Sequence, residues 1–134
     1  MRYKIATTLL WLLIGFGFLG GLNVSYANFT GEHLCPHIAG LEICYVVTIA
    51  YGLMFVSLLI QTSVLRSSLF LPAWAITFLI ALFGTSLELS KGDVCPKTAE
   101  LIPLCFVSLI LCLITISLFM LGQARKRDTI TAKL

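Results

Sequence analysis

The chain has 134 residues, of which 59% are hydrophobic and only 11% are charged. A soluble domain usually carries about 25% charged residues. A disordered chain combines low hydrophobicity with high net charge. The composition therefore excludes both classes and predicts a membrane protein, with the lipid bilayer as its surroundings.

Four stretches contain no Asp, Glu, Lys or Arg, and they cover residues 5–31, 43–65, 67–87 and 101–124. A helix needs roughly 20 apolar residues to cross a hydrocarbon core of about 30 Å. We therefore predict an all-α membrane protein with four transmembrane helices, because lipid offers no hydrogen-bond partners to any other backbone structure. The predicted helices cover about 5–26, 44–65, 69–87 and 101–122.

The cations predict how the helices are oriented. Seven of the nine Lys and Arg residues fall on one predicted side: Arg2, Lys4, Arg66, Arg125, Lys126, Arg127 and Lys133. Five of the six acidic residues fall in the loops of the other side. The positive-inside rule then places both termini in the cytoplasm, and we expect a bacterial inner-membrane protein. The net charge of +3 is explained by this topology and gives no indication of nucleic-acid binding.

The beginning of the chain has a second interpretation. Arg2 and Lys4 precede an apolar run, and a small-x-small sequence ends at Ala27, as in a signal peptide. The apolar run at 5–22 is longer than the 7–15 residues or so of a signal sequence. We therefore expect a retained first helix, whereas cleavage after Ala27 would leave three spans.

Two loop segments share the pattern Gly-acid-(x)-aliphatic-Cys-Pro, at 31–36 and at 92–96. Each is followed by a second cysteine, an aromatic residue and a predicted span. The first cysteines, Cys35 and Cys95, are 60 positions apart, and the second ones, Cys44 and Cys105, are 61 apart. This spacing predicts an internal repeat.

The repeat predicts two tandem helical hairpins, related by a pseudo-two-fold axis along the membrane normal. The first would cover residues 1–66 with an outer loop at 27–43, and the second 67–124 with an outer loop at 88–100. A basic cytoplasmic tail would follow at 125–134.

The outer cysteines predict disulfides, because thiols outside the cytoplasm are oxidised. We favour Cys35–Cys44 and Cys95–Cys105, which gives each loop its own bond, over the competing Cys35–Cys95 and Cys44–Cys105. A continuous helix would separate Cys35 from Cys44 by about 13 Å between Cα atoms, beyond the roughly 4.4–6.8 Å of a disulfide. The chain must therefore fold back before the second cysteine, and Gly40 suits such a break.

The same cysteines have a redox interpretation. In size, span number and external cysteine pairs the chain resembles the quinone-linked disulfide-forming enzymes of bacteria and the vitamin K epoxide reductases. This resemblance implies a quinone cofactor, with Cys35/Cys44 and Cys95/Cys105 as exchanging pairs. Those families use a closely spaced Cys-x-x-Cys, and this sequence has none. Structural disulfides are therefore our preferred interpretation.

A metal or solute carrier is the third interpretation. His33 and His37 flank Cys35 and are weak candidates for metal ligands. The second loop has no histidine, which excludes two equivalent sites, so we predict no metal and no other cofactor. A ligand path between the spans would involve Tyr45, Tyr51, Ser108 and Thr115.

The predicted spans contain no ionisable Asp, Glu, Lys, Arg or His, which argues against an ion pump or a proton-coupled transporter. Small residues recur along their faces and predict close helix packing. We therefore predict a non-enzymatic accessory, assembly or scaffold subunit, whose partners are other membrane proteins or further copies of this chain. The predicted packing residues are Gly17, Gly21, Thr48, Gly52, Ser108, Cys112 and Thr115.

Overall fold

The computed structural model describes residues 2–32, 35, 37–38, 40–92, 95, 97 and 102–132. Within them the predicted all-α architecture is confirmed, with four helices: α1 (Arg2–Ala27), α2 (Ile43–Leu59), α3 (Ser63–Lys91) and α4 (Leu104–Thr131). A π-helical turn, Asn28–Glu32, follows α1. A short hairpin of β1 (His37–Ile38) and β2 (Leu41–Glu42) leads into α2.

Three helices are long and apolar enough to cross a membrane, over Lys4–Gly31, Ser63–Lys91 and Leu104–Ala124. Helix α2 is shorter, with 17 residues. At 1.5 Å per residue it is about 26 Å long, slightly less than a typical hydrocarbon core.

The prediction that the second helix continues to residue 65 is wrong. Helix α2 ends at Leu59, because Ile60 and Thr62 are extended (ψ 125° and 119°) and the chain reverses there. Thr62 is the N-cap of α3, which begins six residues earlier than the predicted start at 69. Arg66 consequently lies in the first turn of α3 and not in a connecting loop.

The other helix ends also differ from the predicted ones. Helix α3 continues to Lys91 and stops at Gly92, which has a positive φ of 67° that suits glycine. Helix α4 begins at Leu104 and continues to Thr131, so the predicted tail is helical over most of its length. Charged residues end a membrane span without ending a helix, because Arg and Lys are good helix formers in water.

The helices form a four-membered ring. Helices α1 and α3 lie at opposite corners, and each packs against both α2 and α4. We name the two ends of the bundle by their contents. The cysteine end carries both disulfides and the starts of α2 and α4, and the turn end carries the connection between α2 and α3.

The hydrophobic core occupies the turn half of the bundle. The Phe70 and Phe119 rings stack with their centroids 3.9 Å apart, and Trp11 meets Phe55 edge to face at 4.9 Å. All four helices contribute buried side chains to this core: Leu10, Ile14, Ala50, Tyr51, Met54, Leu58, Phe70, Ala73 and Phe119.

Candidate binding cavity and its disulfide loops

Both disulfides favoured from the sequence are present. Cys35 is bonded to Cys44 with a Cα separation of 6.0 Å, and Cys95 to Cys105 with a Cα separation of 6.2 Å. The competing pairing between the two loops is not the one formed. The fifth cysteine, Cys112, is a free buried thiol in the third turn of α4.

The first loop is organised by Asn28, just after the end of α1. Its Oδ1 accepts a hydrogen bond of 3.2 Å from the backbone N–H of Cys35, and its Nδ2 donates to Glu42 Oε2. The backbone folds back through the β1–β2 hairpin, in which His37 pairs with Glu42. Gly40, with φ 80°, makes the turn, because this backbone conformation strains other L residues.

The second loop has a carboxylate in the corresponding place. Glu88 Oε2 accepts a hydrogen bond of 3.0 Å from the backbone N–H of Cys95, and Glu88 Oε1 lies 3.9 Å from Lys97 Nζ. Lys97 forms an isolated antiparallel bridge with Pro103, immediately before α4. In both loops the acceptor precedes the first cysteine by seven residues, but it is an amide in one and a carboxylate in the other.

A cavity of about 990 Å³ occupies the cysteine half of the bundle. All four helices line it, and no charged side chain is among the described residues of its wall. Most of the residues that line the cavity are aliphatic, aromatic or glycine, so a bound group would make mainly apolar contacts. Its walls include Phe16, Gly17, Gly20, Gly21, Val47, Tyr51, Thr77, Ile80, Leu104, Val107 and Leu111.

Three disulfide-bonded cysteines border this cavity: Cys44, Cys95 and Cys105. Gly84 allows α3 to approach the second disulfide, because a Cβ there would lie 2.9 Å from Cys105 Sγ and 3.4 Å from Cys95 Sγ. Sequence reasoning missed Gly84, since a single glycine in an apolar span carries no pattern that identifies its neighbour.

A small polar cluster lies at the inner limit of the cavity. Tyr51 is 5% exposed, and its side chain lies close to those of Ser108 and Cys112 across the bundle. Of the path predicted from the sequence, Tyr51 and Ser108 line the cavity. Thr115 is buried elsewhere in the bundle, and Tyr45 is exposed.

Several residues predicted for helix packing lie at close contacts between α1 and α2. A Cβ on Gly17 would lie 2.5 Å from the Tyr51 ring, and one on Gly21 would lie 2.8 Å from Thr48 Oγ1. Thr48 also shares a hydrogen bond of 2.9 Å with Ser25. A Cβ on Gly52 would lie 3.3 Å from the Phe18 ring. Cys112 and Thr115, also predicted for packing, are buried on α4.

The structure does not describe the side chains of the two weak metal-ligand candidates, His33 and His37. His33 lies outside the described residues, and the description of His37 is confined to its backbone. Within the part of the chain that the structure describes, no group of three or more His, Cys, Asp or Glu residues is arranged to hold a metal ion.

No known protein family, curated protein or solved structure matches this chain. An uncharged, largely apolar cavity beside the disulfides suits a neutral apolar occupant, because a charged one would lose its hydration without finding a partner.

Proposed function

We propose that this protein is a non-enzymatic accessory, assembly or scaffold subunit of a membrane, which binds an apolar segment of a partner membrane protein in the cavity at its cysteine end. The main support for this function is the cavity of about 990 Å³. All four helices line it, and the described residues of its wall include no charged side chain.

The size and lining of the cavity support a helical occupant. A helix about 10 Å wide that rises 1.5 Å per residue would fill this volume with roughly two turns. Gly20 lies in the wall with open space beyond it, and small residues of this kind allow membrane helices to approach closely. The disulfides support the same role, because they hold the loops beside the opening in one shape before a partner arrives.

Filling the cavity tests this function. Gly20→Leu adds a side chain to the cavity wall, where a Cβ meets nothing within 4 Å. Gly15→Leu is the matched control on the same helix, since its Cβ also meets nothing and it does not line the cavity. We expect one defined membrane protein to co-purify in mild detergent with the wild type and Gly15→Leu, and to be lost with Gly20→Leu. Equal recovery with both variants would contradict the proposal.

We also propose that the two hairpins form an internal repeat, with both termini on the cytoplasmic side of a bacterial inner membrane. The similar construction of the two loops, each with a side-chain acceptor seven residues before its first cysteine, supports the repeat. The cations near the turn end support the orientation. Labelling of single introduced cysteines by a membrane-impermeant reagent tests it, and a terminus labelled in intact cells would contradict it.

The second candidate function is a membrane thiol-disulfide oxidoreductase, and one observation favours it. Cys95 and Cys105 border the apolar cavity, so a quinone bound there would lie beside their sulfurs. In such a reaction two thiols lose two electrons and two protons, the disulfide forms, and the quinone is reduced to quinol. Structural bonds resist reduction down to about −300 mV, so a pair that is reduced at a higher potential and reoxidised only with quinone would favour this candidate.

A further inference from the structure

A second, smaller pocket lies at the turn end, far along the bundle from the disulfides. Helices α1, α3 and α4 enclose it, and its volume is about 20 Å³. This is enough for one or two oxygen-sized groups. Its wall contains an amide and hydroxyl groups, from Gln123, Thr7 and Ser63, and, unlike the described wall of the large cavity, a cation, Arg66.

The Arg66 side chain lies against an aromatic ring and has an unused donor. Its guanidinium carbon lies 5.7 Å from the centroid of the Phe119 ring. Its Nε is buried and has no hydrogen-bond partner among the residues that the structure describes. A buried donor on a permanently charged group is costly to leave unpaired, so an acceptor supplied from outside the chain would stabilise this guanidinium.

The backbone around Arg66 also favours an anion. Ser63 begins the 29-residue helix α3, and the side chain of its N-cap, Thr62, makes no capping hydrogen bond. The first N–H groups of a helix have no partner within the helix and form its positive end. Gln123 Nε2 donates to Ser67 Oγ, which holds α4 against this first turn.

Most other charged residues near the turn end are positively charged, like Arg66. Lys4 lies near this end of α1, and Arg125, Lys126 and Arg127 follow on the last turns of α4. Of the three acidic side chains that the structure describes, Glu42 and Glu88 lie at the cysteine end and Asp128 lies on the last turns of α4. An anion at the turn end is therefore attracted by the protein as a whole as well as by the pocket.

We propose that Arg66, together with Ser63 and Gln123, binds a phosphate group at the turn end of the bundle. An arginine fork matches the oxygens of a phosphate, and a helix N-terminus adds backbone donors. The pocket lies where apolar spans give way to a basic surface, which is the depth of lipid headgroups, so an anionic phospholipid is the expected source. Inorganic phosphate offers the same chemistry and is distinguished by the experiment.

The test uses the full chain in phosphatidylcholine nanodiscs, with and without phosphatidylglycerol, and counts bound phosphatidylglycerol by native mass spectrometry. Arg66→Gln is expected to weaken binding about tenfold, the loss typical of one charge-assisted hydrogen bond. Arg66→Lys keeps the charge without the fork and should lose less. Lys4→Gln is the matched control, because it removes one cation from the same end without touching the pocket, and it should change binding less than about twofold.

The source of the phosphate is decided in a second arm. Inorganic phosphate is added to phosphatidylcholine nanodiscs, and the unfolding temperature is measured for the wild type and Arg66→Gln. A rise that needs Arg66 would assign the pocket to soluble phosphate, and dependence on phosphatidylglycerol alone would assign it to lipid. Equal losses for Arg66→Gln and Lys4→Gln, or no loss for either, would overturn the proposal. If Arg66→Gln does not fold, the comparison of Arg66→Lys with Lys4→Gln applies the same criterion.

Discussion

The two halves of the bundle are built from different side chains. The turn half buries rings and long aliphatic chains, with Phe70 and Phe119 stacked at its centre. The cysteine half buries small and hydroxyl-bearing side chains: Ser25, Thr48, Thr77, Ala81 and Thr85. Small side chains do not reach the middle of a four-helix ring, so this half keeps an apolar cavity where the other half has a core.

The two halves are also held together by different interactions. In the turn half the helices are stabilised by dispersion contacts between closely packed atoms. In the cysteine half few such contacts cross the centre, and the helices are connected instead by two disulfides and by the hydrogen bonds of Asn28 and Glu88. Three changes test this contrast, beginning with the largest expected effect.

The first change compares two truncations on α4. Phe119→Ala removes a buried ring from the packed half, and we expect a loss of about 3 kcal/mol in the free energy of unfolding. Leu111→Ala, two turns away, removes a side chain that already borders the cavity, so we expect a loss below about 1 kcal/mol. Unfolding by SDS in mixed micelles measures both, and equal losses would contradict the contrast.

The second change removes the covalent support of the open half. Replacing Cys95 and Cys105 together by serine releases a loop whose ends are separated by ten residues. We expect a loss of about 2–3 kcal/mol, because the unfolded chain regains the entropy of the closed loop. Cys112→Ser is the control, since this thiol is unpaired. A double variant as stable as the wild type would show that packing alone holds the cysteine end.

The third change probes the boundary of the cavity on α1. Gly17→Ala places a Cβ 2.5 Å from the Tyr51 ring, and we expect a loss of about 1–2 kcal/mol from overpacking. Gly20→Ala lies one turn further towards the cysteine end, where a Cβ meets open space, and it should leave the stability nearly unchanged. Thermal unfolding in detergent distinguishes the two, and a larger loss for Gly20→Ala would contradict an open cavity at this position.

Much of the fold was predictable because the signals are local. Charge-free stretches indicate helices, and the spacing of Cys35 and Cys44 requires a loop that folds back. The helix ends were less predictable, because the charge-free stretch 43–65 continues through the turn at Ile60, where the chain reverses. Arg66, which lies between the predicted second and third helices, belongs to α3.

The candidate site was predictable only in part. Tyr51 and Ser108 can be identified from the sequence, because they are hydroxyl-bearing residues in apolar spans. The roles of Gly84 and of the Arg66 donor depend on neighbours from other parts of the chain, which the sequence does not identify. The difference between the two loops is of the same kind. Asn28 and Glu88 occupy corresponding positions, but the partners that distinguish them, Glu42 and Lys97, come from the far sides of the loops.

The helices apolar enough to cross a membrane follow from the position of the 11% charged residues, and a disulfide in each loop follows from the spacing of four cysteines. These features depend on distances along the chain, which the sequence contains directly. The packing of one half of the bundle, the open space in the other and the pocket beside Arg66 at the turn end become visible only in three dimensions. All three depend on how far side chains from separate helices reach towards one another, and that distance is set by the packing of the helices.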